Sequence, residues 1–83
     1  SSIEYRIVVK EQGMYNLEVA YSNQTNEFST QKVIINGNDV GEVIYSPAQN
    51  NNNVLVPLKT GVNTINLTHK TGLLEIDYIK LMK

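Results

Sequence analysis

The C-terminal third of the chain places the tightest limit on the fold. Residues 54–82 contain three apolar runs, Val-Leu-Val-Pro-Leu, Val-Asn-Thr-Ile-Asn-Leu and Leu-Glu-Ile-Asp-Tyr-Ile-Lys-Leu, which turn residues separate. Each run is too short for an ordinary helix, and the alternation of valine and isoleucine with polar residues is typical of half-buried strands. Lys59-Thr60-Gly61 joins the first two runs, and Gly61 can adopt the positive φ of a tight hairpin. The segment therefore predicts three strands, the first two paired as a hairpin.

The preceding residues continue this pattern. Alternating apolar side chains predict strands over residues 3–9 and 15–21, joined as a hairpin by a turn at 11–13, and shorter strands over 32–35 and 42–45. Asn36-Gly37, between the two shorter strands, is typical of a type I′ hairpin. Residues 22–29 and 46–53 show no period, so we expect loops there. About seven short strands without a helix indicate an all-β fold, an antiparallel β-sandwich.

Length and composition exclude several classes of protein. Eighty-three residues are enough for one domain, so we expect a single β-sandwich module over residues 1–83. The chain opens inside an alternating run, which suggests a module that is part of a larger protein. The formal net charge is −1 and the seven basic residues are scattered, which makes nucleic acid a poor candidate partner. We also find no apolar run long enough to span a membrane, and no signal peptide.

Catalytic and modification motifs are weak. His69 is the only histidine, no nucleophile stands in a recognisable context, and no Gly-rich phosphate loop or metal-ligand spacing is present. We therefore predict that the chain is not an enzyme. Asn23-Gln24-Thr25 and Asn66-Leu67-Thr68 match the N-glycosylation pattern, which is common by chance in an Asn-rich chain.

The connections divide into two groups if successive strands alternate in direction. One end of the sandwich then carries the short turns at 11–13, 36–41 and 59–61. The other end carries residues 22–29, 46–53 and 70–73, which include two longer connections rich in amide and hydroxyl groups. Loops held by a rigid scaffold are the usual place for binding groups, so we expect any site at this second end.

Six residues at that end are the candidate carbohydrate contacts. Amide side chains offer the donors and acceptors that sugar hydroxyls need, the tyrosine offers an apolar face to a pyranose ring, and the lysine can pair with a uronic-acid carboxylate. Two alternatives stay open, namely that the tyrosine ring is buried and that the asparagine run is a spacer without a role. The candidates are Tyr45, Gln49, Asn50, Asn51, Asn52 and Lys70.

Four segments together resemble the carbohydrate-binding modules of families 6 and 35. They are Gly-Met-Tyr-Asn-Leu-Glu-Val-Ala-Tyr-Ser-Asn, Val-Ile-Ile-Asn-Gly, Val-Pro-Leu-Lys-Thr-Gly-Val-Asn-Thr-Ile-Asn-Leu and Leu-Glu-Ile-Asp-Tyr-Ile-Lys-Leu, and the resemblance covers residues 3–81. It implies a jelly-roll β-sandwich and a non-catalytic module of a secreted or cell-surface protein. Such a module holds an adjoining glycoside hydrolase or other enzyme domain on poly- or oligosaccharide.

The resemblance also implies a possible structural calcium, with Asp77 in the last strand as a ligand. The acidic N-terminal residues that complete the family's calcium site are not in this sequence, and neither is the tryptophan that often stacks on the sugar. A single carboxylate does not hold calcium, which takes six or more oxygen ligands. The alternative function is therefore a structural or adhesive sandwich, a spacer or protein-interaction module without affinity for sugar.

Overall fold

The computed structural model describes residues 2–69 and 74–83, and this part of the chain contains strands and no helix. The seven strands, in chain order, are β1 (Ser2–Val9), β2 (Gly13–Asn23), β3 (Ser29–Ile35), β4 (Asn38–Tyr45), β5 (Asn51–Leu58), β6 (Gly61–His69) and β7 (Leu74–Met82). Each strand predicted from the alternation of apolar residues is present, so the all-β prediction is confirmed.

The strands form two antiparallel sheets that enclose the core. One sheet has four strands in the order β1-β6-β3-β4, and the other has three in the order β5-β2-β7. Every other residue of the central strands is buried, as in β3, where Ser29, Gln31, Val33 and Ile35 face inward. The predicted antiparallel β-sandwich is therefore confirmed, because the period-two pattern along each strand directs one row of side chains into the space between the sheets.

One of the three predicted hairpins is confirmed. β3 and β4 pair directly, with Ile35 opposite Asn38. Asn36 and Gly37 between them have φ values of 51° and 85°. Positive φ at both central residues is the geometry of a type I′ turn, which Asn-Gly adopts at little steric cost.

The other two predicted hairpins are wrong. β1 pairs with β6 rather than with β2, and β5 pairs with β2 rather than with β6. The connections at residues 10–12 and 59–60 therefore cross from one sheet to the other. Gly61 does have a positive φ, 101°, but at the end of a crossing connection. A turn motif specifies that the chain reverses, whereas the partner of each strand is decided by which side chains pack together.

Asn63 explains how the crossing connection between β5 and β6 is held. Its side chain is fully buried at the start of β6. Its Oδ1 accepts from the backbone N–H of Lys59 at 3.0 Å, and its Nδ2 donates to the carbonyl oxygens of Lys59 at 2.9 Å and Gly61 at 3.1 Å. Asn36 Nδ2 donates to the same Oδ1 at 2.9 Å. One buried amide thus joins the β5–β6 connection to the β3–β4 turn.

The long connections are shorter than predicted. β2 extends to Asn23, β3 begins at Ser29, and β5 begins at Asn51, so the connections span residues 24–28 and 46–50. Three residues of the asparagine run therefore lie in a strand, where Asn51 pairs with Ala20 and Asn53 with Glu18. Asparagine has a low strand propensity, but here the backbone of β2 supplies hydrogen-bond partners for the backbone of these residues.

The connections fall at the two ends that alternation predicts. Every paired strand is antiparallel, and successive strands alternate in direction. We call the end with residues 10–12, 36–37 and 59–60 the short-turn end. The opposite end, with residues 24–28 and 46–50, is the long-loop end; the third connection expected there, residues 70–73, lies outside the described residues.

The core contains a polar pair near the long-loop end. Tyr45 is fully buried, and its hydroxyl donates a 2.7 Å hydrogen bond to Oε1 of Gln31, which is 2 % exposed. Within the described residues, no buried side-chain nitrogen or oxygen lacks a hydrogen-bond partner. The pair is tolerated in an apolar core because each polar atom is satisfied. The apolar members of the core are Leu17, Val19, Val33, Ile35, Val43, Val56, Leu58, Ile65 and Leu67.

We predict that Tyr45→Phe lowers the free energy of unfolding by about 1–3 kcal/mol, because Gln31 Oε1 then stays buried without its donor. Tyr78→Phe is the matched control, since Tyr78 is 55 % exposed and the same change there should stay within about 0.5 kcal/mol. Chemical denaturation of both variants measures the difference. Equal stability of the two variants would show that the buried hydrogen bond contributes nothing.

Candidate functional site

The β4–β5 connection at the long-loop end is held by Tyr21. The Tyr21 hydroxyl donates to the carbonyl oxygen of Ser46 at 2.7 Å, and its backbone N–H donates to the carbonyl oxygen of Asn50 at 2.9 Å. The N–H of Gln49 donates to the Ser46 carbonyl at 3.2 Å, which closes a turn over residues 46–49. Both ends of this connection are thus tied to one buried residue of β2, so its backbone presents a fixed surface.

The β2–β3 connection is fixed to the same region by Asn23. Its Nδ2 donates to the carbonyl oxygens of Glu27 at 2.9 Å and Tyr45 at 3.1 Å, and its Oδ1 accepts from the backbone N–H of Thr25 at 3.0 Å. The two connections therefore meet where β4 ends. Because both ends of the Asn23 amide are hydrogen-bonded inside the fold, its N-glycosylation motif is better explained as a loop-forming Asx turn.

Tyr45 does not have the place that a sugar-stacking residue requires. Its ring is fully buried and packs edge-to-face on Tyr21, with ring centroids 4.5 Å apart. Burial raises the pKa of both tyrosines. For Tyr21, the hydrogen bond to Ser46 lowers the pKa and offsets part of this rise. The prediction that Tyr45 stacks on a pyranose is therefore corrected, and the alternative of a buried tyrosine holds. The ring packs in the apolar core, and Gln31 satisfies its hydroxyl there.

The predicted amide contacts divide into two classes. The side chains of Gln49, Asn50 and Asn51 are exposed and, with Pro47 and Ala48, line a shallow pocket of about 450 Å³. Asn51 Nδ2 donates to Asn50 Oδ1 at 3.1 Å, which orients the two amides relative to one another. The structure therefore brings three of the predicted contacts together on one concave surface.

Asn52 belongs to the second class. Its side chain is half-buried, its Nδ2 donates to the carbonyl oxygen of Ile44 at 2.5 Å, and its Oδ1 accepts from the N–H of Asn53 at 2.8 Å. Ile44 lies in the four-stranded sheet and Asn52 in the three-stranded sheet, so the amide joins the two sheets along one edge. We therefore assign Asn52 to the fold, because both functional atoms of its amide already have partners.

Phe28 is an aromatic candidate that the sequence analysis missed. It is 65 % exposed in the β2–β3 connection at the long-loop end. Ser29 pairs with Tyr45, and extending this register by one position places Phe28 opposite Ser46, the first residue of the β4–β5 connection. It is the only phenylalanine in the chain and stands among polar residues, and this isolation was the available signal.

The two remaining predicted site residues are Lys70 and Asp77. Lys70, the candidate partner for a uronic-acid carboxylate, lies outside the described residues. Asp77 is exposed and is the extra residue of a β-bulge, because Ala20 pairs with Tyr78 and Tyr21 with Ile76. In the described part of the chain there is no cluster of three or more histidine, cysteine or acidic side chains. Asp77 therefore does not fit a structural calcium, which needs six or more oxygen ligands.

We predict that Asn52→Ala lowers the free energy of unfolding by about 1–2 kcal/mol, because the Ile44 carbonyl and the Asn53 N–H both lose a partner. Asn51→Ala, one residue earlier and exposed, should change it by less than about 0.5 kcal/mol. Thermal or urea unfolding of the two variants measures the contrast. Equal effects at the two positions would contradict a structural role that is special to Asn52.

Solved structures with the same fold place the chain among known proteins. No protein-family model matches the sequence, and no curated protein matches it either. A family 35 carbohydrate-binding module from an environmental isolate superposes with a TM-score of 0.91 at 23% identity, covering 100% of this chain and 66% of that one. A family 35 module from Clostridium thermocellum gives a TM-score of 0.86 at 24% identity, covering 96% of this chain and 68% of that one.

The fold also occurs inside a larger enzyme. A Podospora anserina β-(1,4)-mannanase that carries a family 35 module gives a TM-score of 0.82 at 26% identity, covering 98% of this chain and 19% of that one. The chain thus spans just under two thirds of the first module and a small part of the enzyme. From β1 to β7, it has the fold of a family 35 carbohydrate-binding module.

Proposed function

We propose that this chain binds carbohydrate through the long-loop end and has no catalytic role of its own. The observation that carries the proposal is the exposed amide surface of Gln49, Asn50 and Asn51, held by Tyr21 at one end of a fold shared with isolated carbohydrate-binding modules. Its side chains are uncharged and Tyr21 holds the backbone that carries them, which suits a ligand whose recognition depends on hydroxyl groups rather than on charge.

The chemistry of the surface suits a pyranose. Each amide supplies one carbonyl oxygen and two N–H donors, so three amides can satisfy the mixed donors and acceptors of adjacent sugar hydroxyls. Phe28 supplies the apolar component in place of the buried Tyr45. An exposed aromatic ring covers the C–H face of a sugar and buries that face from water at little cost in conformational entropy. We assign no contact to Asp77 or Asn52, whereas Lys70 remains the candidate contact for an acidic sugar.

The shallow shape of the pocket agrees with binding without reaction. A catalytic pair needs titratable groups converging on an enclosed site, whereas the pocket of about 450 Å³ is lined by Pro47, Ala48 and the three amides. We propose that the module holds an adjoining enzyme or surface protein on poly- or oligosaccharide outside the cell. The mannanase supports this arrangement, because there the same fold is one part of a much longer chain. No helix in the described residues is long and apolar enough to cross a membrane.

We predict that Phe28→Ala lowers the affinity for the bound glycan about tenfold, which corresponds to about 1.4 kcal/mol. A glycan array with neutral and acidic oligosaccharides identifies the ligand, and calorimetric titration then compares the variants. Tyr78→Ala is the matched control, because it removes an aromatic side chain of similar exposure, 55 %, from the outer face of β7. Affinity that falls equally in both variants would contradict a site at the long-loop end.

We predict a smaller loss, about threefold to tenfold, for Asn50→Ala or Asn51→Ala, because each removes one set of exchangeable hydrogen bonds worth about 0.5–1.5 kcal/mol. Unchanged melting temperatures show that the variants are folded. Silence of the wild-type chain across the whole array would contradict carbohydrate binding and favour the alternative, a structural or adhesive sandwich. Binding only to acidic glycans would point instead to Lys70, which Lys70→Ala tests directly.

A further inference from the structure

β1 is an edge strand in the part of the chain that the structure describes. It lies at one end of the four-stranded sheet and pairs with β6 at eight consecutive positions, from Ser2 opposite Thr68 to Val9 opposite Gly61, without a bulge. Its other side has no partner strand in the described part of the chain, and the strand contains neither proline nor glycine. A long regular edge of this kind offers its free backbone N–H and C=O groups to another strand.

The inward face of β1 is incompletely covered. Tyr5, Ile7 and Val9 pack against the core but are only partly buried, and Ile3 is 42 % exposed. The four-stranded sheet has one strand more than the sheet on which it packs, and β4 at its far end lies beside β5. The apolar side chains of β1 therefore stay half-covered, which adds a hydrophobic contribution to any strand that extends the sheet there.

The two pairs of residues nearest to Tyr5 in β1 are complementary across it, one apolar and one of opposite charge. Ile3 and Ile7 lie symmetrically about it on the inner face, and Glu4 and Arg6 lie symmetrically on the outer face with opposite charges. The Glu4 and Arg6 side chains are 50% and 76% exposed, and they contact each other at 3.6 Å within the strand. Such a strand is complementary to a second copy of itself in antiparallel orientation.

We propose that the free edge of β1 pairs antiparallel with β1 of a second copy, about a two-fold axis at Tyr5. In this register Glu4 of each copy lies opposite Arg6 of the other, and Ile3 lies opposite Ile7. Opposite charges facing one another across an antiparallel pair are stabilising, whereas like charges in the same position are destabilising. The two-fold pairing stops at a dimer, because each copy has one β1 edge and that edge is buried in the pair.

In the neighbouring symmetric registers of the β1–β1 pair, like charges would face each other. Moving the axis to Glu4 places the two glutamates directly opposite each other, and moving it to Arg6 does the same with the two arginines. A slip by a single position would place the apolar inner side chains opposite the polar outer ones. The arrangement centred on Tyr5 is therefore the one symmetric register that combines opposite charges with matched faces.

The pairing has a consequence that rests on the proposed function. β1 runs from the long-loop end to the short-turn end, so an antiparallel partner places the two long-loop ends at opposite poles of an eight-stranded sheet. Two glycan sites that face away from each other cannot bind adjacent positions on one flat surface. The dimer would instead bridge two separate carbohydrate chains.

Charge-reversal variants test the pairing by sedimentation equilibrium, without any glycan. We expect the wild-type chain to reach twice its mass of 9.3 kDa as concentration rises. E4R and R6E each place two like-charged pairs across the interface, so their dissociation constants should rise about tenfold. Mixing E4R with R6E restores both attractive pairs in a heterodimer, and the double variant E4R/R6E restores them in a homodimer.

K80E is the matched control, because it reverses an exposed charge on β7, an edge strand of the other sheet. It should dimerise as the wild type does, and circular dichroism confirms that every variant is folded. A wild-type chain that stays monomeric overturns the proposal and leaves the edge to a strand from another segment or protein. A dimer that K80E weakens and E4R or R6E leaves intact overturns it as well, because the interface is then β7. Recovery of the dimer in the E4R and R6E mixture supports it.

Discussion

The contact between Tyr21 and Tyr45 organises the end of the sandwich that carries the candidate site. The two rings pack edge-to-face between the sheets, and their hydroxyl groups have different hydrogen-bond partners. The Tyr45 hydroxyl satisfies the buried Gln31, while that of Tyr21 holds the carbonyl of Ser46. A buried tyrosine must place its hydroxyl on a partner, and here the two partners are a core side chain and a surface connection. The position of the β4–β5 connection is thereby determined from inside the core.

Asparagine has two opposite roles in this small protein, and the hydrogen bonds of each amide decide which role it has. Asn63 and Asn52 have both ends of their amides bonded to the fold, so they replace missing backbone partners at a crossing connection and at a sheet edge. Asn50 and Asn51 are exposed and bond mainly to each other. Only the second kind has donors and acceptors to spare for a ligand, which is why identical neighbours in sequence separate into structural and candidate binding residues.

The unequal sheets give the molecule a second surface with a different chemistry. Among the described residues, four strands pack on three, and the apolar side chains of the edge strand β1 are only partly buried. The two described connections of the long-loop end are mostly polar, and hydrogen bonds from Tyr21 and Asn23 hold them in place. The β1 edge instead offers backbone groups and two opposite charges, those of Glu4 and Arg6. The proposed sugar site and the proposed self-pairing therefore use separate parts of the fold and fail or succeed independently.

The sequence by itself determined the seven strands, the all-β class, the Asn36–Gly37 turn and the grouping of connections at two ends, because period-two alternation and turn chemistry are local properties. It also predicted Gln49, Asn50 and Asn51 as candidate contacts, and the structure places these three on one surface. Only the tertiary structure decided which strands pair, since the turns before β2 and β6 reverse the chain but do not determine which strands are neighbours in a sheet. The tertiary structure was also needed to show that Tyr45 is buried, that the Asn52 amide is hydrogen-bonded within the fold and that Phe28 is exposed. Burial depends on which residues of the opposite sheet pack on a side chain.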